Sequence, residues 1–355
     1  MTTPIIVVAD DLSGALDSAA PFASRGLHVR VALGVASIAE AVAARPDVLA
    51  ISTRSRALPA PLAAQRVEAA WAAAKALSPR LVMKKVDSRL KGEIAAEAAA
   101  LLAASGRTFA IACPAVPEQG REVTRGRLTG RGVAVPIPVR DLLGHLPCEC
   151  HDAADDADLR AIARAILAAP DRTVAIGARG LAAALADLVA GPPSADQALA
   201  PALPMVIAIG SSDPITHAQV ERLKLDWPQV PEVPVPAAVP VNPRDPIVLM
   251  RTRWQPGSDA AALVRRLGQE AAAMAWTVSA RTIFCSGGDT AAAVMDAFGA
   301  RQLVAEYELC AGVAVARIEG TDGVRLITKS GGFGDPGVLS RIAGEAIAAR
   351  GQVMA

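Results

Sequence analysis

Short apolar runs of about five residues recur along the chain, most followed by a longer Ala-rich stretch with apolar residues every three or four positions. The runs at 5–9, 29–33, 48–52, 81–86 and 109–113 read as strands. The stretches at 14–23, 38–44, 62–77 and 94–104 read as helices of crossover length. Strands and helices in alternation are the pattern of a parallel sheet covered on both faces. Residues 122–146 interrupt it with Gly and Pro and predict an irregular insertion or a hairpin. A helix at 159–168, a strand at 173–176 and a helix at 181–189 then complete the first half.

Four prolines and few periodic apolar residues fall between 191 and 204, which marks a linker. The second half starts with a strand at 205–209 and a helix at 215–225, followed by a Pro-rich passage at 228–246. A strand at 247–250, a helix at 260–275, a strand at 282–286 and a helix at 290–298 come next. Strand-like runs at 314–318 and 325–328 lead to a last helix at 336–349. The expected fold class is α/β, with two α/β domains over 1–195 and 205–355, largely parallel sheets and an interdomain cleft. No internal repeat is evident in the residues.

Composition narrows this picture. Ala and Val dominate the 52% hydrophobic content, while five Phe, four Trp and one Tyr are the aromatic residues, which suits helices packed closely on sheets. With 36 basic and 35 acidic residues, the net charge of +1 gives no electrostatic footprint for nucleic acid or an anionic membrane. The first apolar run ends at two aspartates and lacks a basic leader, and no run is long enough to span a bilayer, so a cytoplasmic protein is expected. Five cysteines without a framework spacing fit a reducing compartment. Cys148-Glu149-Cys150-His151 has one-residue spacing and no second ligand pair, which is weak for zinc, and metal ligands stay unassigned.

In open α/β sheets, ligands bind beyond the carboxyl ends of the strands. Four such ends in the first half are polar: Asp10-Asp11, Thr53-Arg54, Lys84-Lys85-Val86-Asp87-Ser88, and Pro114 to Arg121 with Glu118. A small polyhydroxy acid needs cations for its carboxylate and carboxylates for its hydroxyls. Arg54, Lys85 and Arg121 are the candidate cations; Asp11 and Asp87 are the candidate hydroxyl acceptors. Taken singly, such residues are usually solvated loop charges, and Asp11 or Ser13 is also a natural helix cap. Lys84 and Lys85 point to opposite faces of one strand, and the spacing with Asp87 favours Lys85.

The second half places Gly210-Ser211-Ser212-Asp213, Cys285-Ser286-Gly287-Gly288-Asp289-Thr290 and Ser330-Gly331-Gly332-Phe333-Gly334-Asp335 after strands. Glycines let the backbone approach an anion, and amides at a helix N-terminus cradle phosphate oxygens. Each loop alone is as often a turn or cap, but three in one domain favour a nucleotide. No Walker A triplet occurs and no Rossmann fingerprint follows the first strand.

The segments IIVVADDLSGALDSA, KKVDSRLKGEIAAE, CPAVPEQGREVTRGRLTG, FCSGGDTAAAVMDAFG and LITKSGGFGDPGVL, in this order and across both halves, resemble the motifs of the four-carbon acid sugar kinases. The resemblance implies an N-terminal domain that binds a sugar acid and a C-terminal domain that binds ATP, with Mg2+ as its companion. Substrate contacts are then implied for Asp11, Arg54 and the run from Lys85 to Ser88 with Asp87; Asp10 and Arg121 join them from the strand-end pattern, and Asp11, Asp87 and Lys85 are the catalytic candidates. Nucleotide contacts are implied for Ser211, Gly287, Gly288, Asp289, Thr290, Gly331, Gly332 and Gly334, and Ser212 of the same Gly-Ser loop is a further candidate. The implied activity is phosphorylation of threonate, erythronate or a 3-oxo-tetronate at its terminal hydroxyl. The partner is the small sugar acid, and a homodimer is left open. Two departures from the family pattern stand out: Arg89, Lys91 and Glu93 where Thr, Arg and Asn are usual, and Asp213 before Pro214 in the Gly-Ser loop. Competing classes are a nicotinamide-dependent oxidoreductase of a hydroxy acid, disfavoured by the missing fingerprint, and a noncatalytic sugar-acid-binding protein, for which the glycine loops would be superfluous.

Overall fold

A computed structural model describes residues 4–194, 199–236, 242, 244–253 and 257–353. Parts of the expected linker at 191–204 and of the Pro-rich passage at 228–246 lie outside the described residues. The chain divides into two compact units: one over 1–196 together with Gln302–Tyr307, the other over 197–301 and 308–355.

The first unit runs β1 (Ile5–Ala9), α1 (Leu12–Ala23), β2 (Val29–Ala32), α2 (Ile38–Ala43), β3 (Val48–Ser52), α3 (Ala60–Ala74), β4 (Leu81–Lys85), α4 (Ile94–Ser105) and β5 (Phe109–Cys113). It continues through β6 (Arg121–Thr124), β7 (Arg127–Gly130), β8 (Ile137–Pro138), α5 (Val139–Leu143), β9 (Cys148–Cys150), α6 (Asp156–Ala168), β10 (Thr173–Gly177) and α7 (Arg179–Ala190). The sheet order is β2-β3-β1-β4-β10-β5-β9, all parallel. Helices cover both faces, so β1, β3 and β4 are buried along their whole length and read as unbroken apolar runs instead of alternating ones. In α3 the buried residues Ala63, Val67, Ala70, Trp71 and Ala74 form one helical stripe. The Gly- and Pro-rich insertion is a small antiparallel sheet, β6-β7-β8, with α5 after it.

The second unit contains β11 (Met205–Ile209), α8 (Pro214–Asp226), β12 (Glu232–Val235), β13 (Ile247–Thr252), α9 (Ala260–Thr277), β14 (Thr282–Ser286) and α10 (Gly288–Ala297). Then come β15 (Gln302–Cys310), β16 (Val313–Ile318), β17 (Arg325–Lys329) and α11 (Val338–Val353). Its strand order is β12-β13-β11-β14-β17-β16, with only β16 antiparallel among these. Residues Gln302–Tyr307 of β15 cluster with the first unit, where the strand pairs antiparallel with β2.

Three strands have no counterpart in the apolar pattern. β9 is three residues long and carries two cysteines; β12 contains Pro234 and is tolerated because it is an edge strand; β15 alternates apolar residues with Glu306 and Glu308. Among the described residues no helix is long and apolar enough to cross a membrane.

In both units the chain leaves a central strand, moves two places out, returns to the gap, and then crosses to the other side. Adjacent strands whose connections depart in opposite directions leave a crevice at their carboxyl ends. That pair is β1 and β4 in the first unit, and β11 and β14 in the second.

Candidate active site

Register levels the strand ends in the first unit, since Ala9 lies opposite Ser52 on β3 and opposite Lys85 on β4. The loops that follow therefore meet at one edge. Asp10 is 2% exposed, and Asp11 caps α1 by accepting a hydrogen bond from the Gly14 amide at 2.7 Å and from Ser13 Oγ at 3.0 Å. The cation at their centre is Arg56. Its Nη2 reaches Asp10 Oδ1 at 2.7 Å and Asp11 Oδ1 at 3.3 Å, its Nε donates to Asp10 Oδ2, and its Nη1 donates to Asp87 Oδ2 at 3.1 Å.

One guanidinium thus ties together the loops after β1, β3 and β4. Burial disfavours charge on Asp10 and Asp87, but Arg56, with the nearby lysines, holds both below the usual carboxylate range. Lys91, one of the departures from the family pattern, is among the cations acting on Asp87. Gly92, at φ +93°, lets this loop pass close to the cluster, because a Cβ there would sit 2.9 Å from Asp10 Oδ2.

The two lysines divide as the strand alternation requires. Lys84, fully buried, pairs with Glu97 Oε2 at 3.1 Å and donates to the Lys85 carbonyl at 2.8 Å. Glu97 also accepts a hydrogen bond from Ser55 Oγ, which is 2.6 Å from Thr53 Oγ1, so Lys84 fixes the loop after β3 from beneath. Lys85 turns to the α1 side, where Nζ is 3.5 Å from Asp17 Oδ1 and 3.0 Å from the position a Cβ on Gly14 would take. Burial pushes the Asp17 carboxyl up to about 6, against the opposing pull of Lys85.

Among the expected substrate residues, Asp10, Asp11, Lys85 and Asp87 come together around α1 and Arg56. Arg54 lies in the same loop as Arg56, in the left-handed region at φ +54°. Arg121, 1% exposed, donates to Ser88 Oγ at 3.1 Å and to the Arg131 carbonyl at 2.9 Å, which fixes the β6–β7 hairpin to the loop after β4. Glu118 pairs with Arg179. The sequence reading overlooked Arg56 and Asp17; the one available signal was Arg56 two positions beyond Arg54 in the same strand-end loop.

In the second unit the three glycine loops converge. A Cβ on Gly210 would fall 2.4 Å from Thr290 Oγ1 and one on Gly331 2.3 Å from Ser211 Oγ, so a side chain at either position would have to displace the facing hydroxyl. Gly287, at φ +104°, is the N-cap of α10 and supplies no side-chain hydrogen bond, so the first-turn amides of that helix have no side-chain cap. Gly288, Asp289 and Thr290 form that first turn, with Asp289 exposed and Thr290 buried. Thr216 Oγ1 donates to the Gly331 carbonyl at 2.8 Å and lies 3.1 Å from Ser286 Oγ.

Lys329, at the end of β17 and opposite Ser286, donates to the carbonyls of Ser330 and Gly331, each at 2.9 Å. Burial pushes its ammonium down to about 7, while Asp213 pulls the other way. The Ser330–Asp335 turn is held further by Gln219, which donates to the Phe333 and Asp335 carbonyls at 3.0 and 2.9 Å. Gly332 and Gly334 belong to this turn, Gly334 at φ +82°. Asp213, the second departure, caps α8 by accepting from the Ile215 amide at 3.1 Å.

Gly210, Ser211 and the exposed Ser212 line an open cleft of about 650 Å³ within this unit, together with Pro234, Arg251, Arg253 and Leu263. Arg251 Nη2 lies 3.0 Å from His217 Nδ1. Nothing in the local pattern of residues marks this wall, since β12 and the end of β13 reach it only through the crossover order. Among the described residues no group of three or more His, Cys, Asp or Glu is arranged to hold a metal ion.

Residues 5–141 match the model of a sugar-binding N-terminal domain, and residues 244–339 match that of a nucleotide-binding C-terminal domain. The chain is 31% identical to a D-threonate kinase of Bordetella bronchiseptica, covering 95% of this chain and 96% of the relative. It is 27% identical to a 3-oxo-tetronate kinase of Burkholderia multivorans, covering 92% and 94%. In fold it is similar to a Salmonella typhimurium protein solved as a putative tRNA synthase, at a TM-score of 0.73 and 20% identity, covering 96% of this chain and 98% of the other. A Haemophilus influenzae protein of the DUF1537 family gives a TM-score of 0.67 at 20% identity, with 96% and 100% covered. These matches extend over both units, and the chain belongs to the four-carbon acid sugar kinase family.

Proposed function

We propose that this protein transfers the γ-phosphoryl group of ATP to the terminal hydroxyl of a four-carbon sugar acid: threonate, erythronate or a 3-oxo-tetronate. The observation that carries the reading is the meeting of three glycine loops at the uncapped first turn of α10, which offers backbone amides to phosphate oxygens without a Walker A sequence. Support also comes from the kinase relatives and from the nucleotide-binding model over the second half.

Phosphoryl transfer depends mainly on positioning and on neutralising charge. Backbone around Gly287, Gly288, Gly331 and Gly332, with the hydroxyls of Ser211, Ser212 and Thr290, would hold the phosphates. The cleft beside Gly210 and Arg251 has room for the rest of the nucleotide. Magnesium would arrive as part of the ATP complex, its shell made largely by phosphates and water, with Asp289 a carboxylate exposed at that end.

In the first unit Asp10 is sealed against Arg56 and serves to orient it. Asp11 and Asp87 are more exposed, at 12% and 16% of their side chains, and are the carboxylates able to orient the substrate hydroxyl and take its proton. Lys85, with Arg54 and the far side of Arg56, supplies positive charge to the carboxylate of the acid and to the developing phosphoryl charge. The decisive experiment is to incubate the protein with ATP, magnesium and a panel of four-carbon acids, following ADP release and phosphate on the acid. ADP release no faster with any acid than without one would reject the proposal. Asp11→Asn and Asp87→Asn, assayed side by side on the best acid, assign the base to whichever loses turnover with little change in KM.

A further inference from the structure

Asp17 takes no part in the reaction as proposed, yet it is a carboxylate in the middle of a helix at 3% exposure. Every residue of α1 is buried, and apart from Asp17 they are apolar or small, so a charge there calls for a partner. Asp17 lies one turn beyond Gly14 on the same stripe of the helix. Lys85 reaches that stripe from β4. A Cβ on Gly14 would fall 3.6 Å from Lys85 Cγ and 3.0 Å from its Nζ, so the lysine stem crosses α1 where a side chain is missing. Its Nζ ends 3.5 Å from Asp17 Oδ1, and among the described residues no other carboxylate is within ion-pair reach of it.

The same gap borders Asp11. A Cβ on Gly14 would also fall 2.5 Å from Asp11 Oδ1, so the ammonium and the candidate base approach one point. Asp11 is fixed there by the Gly14 amide, by Ser13 and by Arg56, whereas the lysine stem is flexible. With no counter-charge at position 17, the buried ammonium would be drawn to the next carboxylate, that of Asp11.

We infer that Asp17 is a positioning residue, which seats the Lys85 ammonium in the Gly14 gap and keeps it from closing onto Asp11, so that cation and hydroxyl acceptor stay separate for the incoming sugar acid. This rests on the roles proposed above for Lys85 and Asp11.

The neighbouring lysine shows the contrast. Lys84 is held as a structural pin by an ion pair at 3.1 Å and a carbonyl at 2.8 Å. Lys85 has the looser contact with Asp17, which leaves ammonium donors for a ligand oxygen. Asp17 is itself supported: Ser18 Oγ donates to it at 2.9 Å, and Arg179 of α7, the helix packed on α1, adds positive charge while pairing with Glu118.

The test is a double-substitution cycle on the full-length protein. It is read as the Kd of whichever of threonate, erythronate and 3-oxo-tetronate the wild type binds most tightly, using NMR shifts of the acid to follow binding into the millimolar range. Asp17→Asn keeps the volume and removes the charge, and should raise the Kd roughly 10-fold, mid-range for side chains in contact. In a Lys85→Met background, where position 17 has no cation to seat, the same change should alter the Kd by no more than about 2-fold. Gly14→Ala fills the gap without touching Asp17, and alanine suits a helix interior better than glycine. Its methyl group should displace the ammonium and raise the Kd at least ~10-fold, with circular dichroism and melting temperature reporting the fold. Gly14→Ala decides alone should Asp17→Asn not fold. Equal effects of Asp17→Asn with and without Lys85, or an unchanged Kd in Asp17→Asn or Gly14→Ala, would overturn the inference and leave the kinase reading standing. A wild type that binds none of the acids would reject that reading and this inference with it.

Discussion

Arg56 sets one guanidinium against Asp10, Asp11 and Asp87, and Asp10 is too buried to be rescued by water. Arg56→Met should therefore cost about 3–5 kcal/mol, the range for breaking a buried pair from one side. It should also lower kcat/KM by roughly 100-fold or more, the scale of one lost charge-stabilising donor. Arg56→Lys should recover part of the melting temperature and little of the activity, since an ammonium cannot replace a fork that spans three carboxylates. Lys329 gives a pH signature. Its value of about 7 in the fold lies below the value of about 10.4 of an unfolded lysine. Below 7 the amine is charged in both states and the cost of burying it is fully present. Between the two values the unfolded chain holds a proton that the folded chain lacks, so stability rises with pH by up to about 1.4 kcal/mol per unit. Melting curves of the wild type and Lys329→Met should diverge in favour of the wild type as pH increases through this window; parallel curves would refute the assignment. Strand alternation set Lys84 and Lys85 on opposite faces in the residues, but the Arg56 cluster and the titration of Lys329 left no mark there, because burial and partners set both.

At the level of elements, the sites depend on how closely helices and loops approach one another. α9 packs against α10 at Gly268, where a Cβ would fall 2.5 Å from the Ala293 carbonyl. Gly268→Ala should therefore cost about 1–3 kcal/mol as an overpacked contact, despite the better helix propensity of alanine. Because α10 opens on the turn proposed to bind phosphate, the same variant should weaken ATP binding more than sugar-acid binding, as isothermal titration with each ligand would reveal. The strands and helices with continuous apolar runs or helical stripes were legible in the sequence, β1, β3 and α3 among them. β9, β12 and β15 were not, because two are short or broken by proline and the third owes its pairing to β2, far away in sequence.

Over the whole molecule, the first four strands of each unit follow one order, β2-β3-β1-β4 and β12-β13-β11-β14, although the residues betray no repeat. Each unit thus has its own switch-point crevice, and each ligand should protect its own unit. In hydrogen exchange, ATP should slow amides around 287–290 and 330–334, and a four-carbon acid those around 10–14, 53–57 and 87–93. Indistinguishable protection by the two ligands would contradict separate sites. Ligand at 100 times its Kd should add about 2.7 kcal/mol of stability. The sequence by itself determined the α/β class, most strands and helices, and the strand-end loops that carry polar chemistry, because burial on both faces and glycine at close approaches leave local marks in the residues. Which charges meet was decided only by the tertiary structure. Strand order brought the loops after β1, β3 and β4 together, placed Arg56 instead of Arg54 among the aspartates, turned Asp213 into a helix cap, and fixed the burial on which the titration of Asp17 and Lys329 depends.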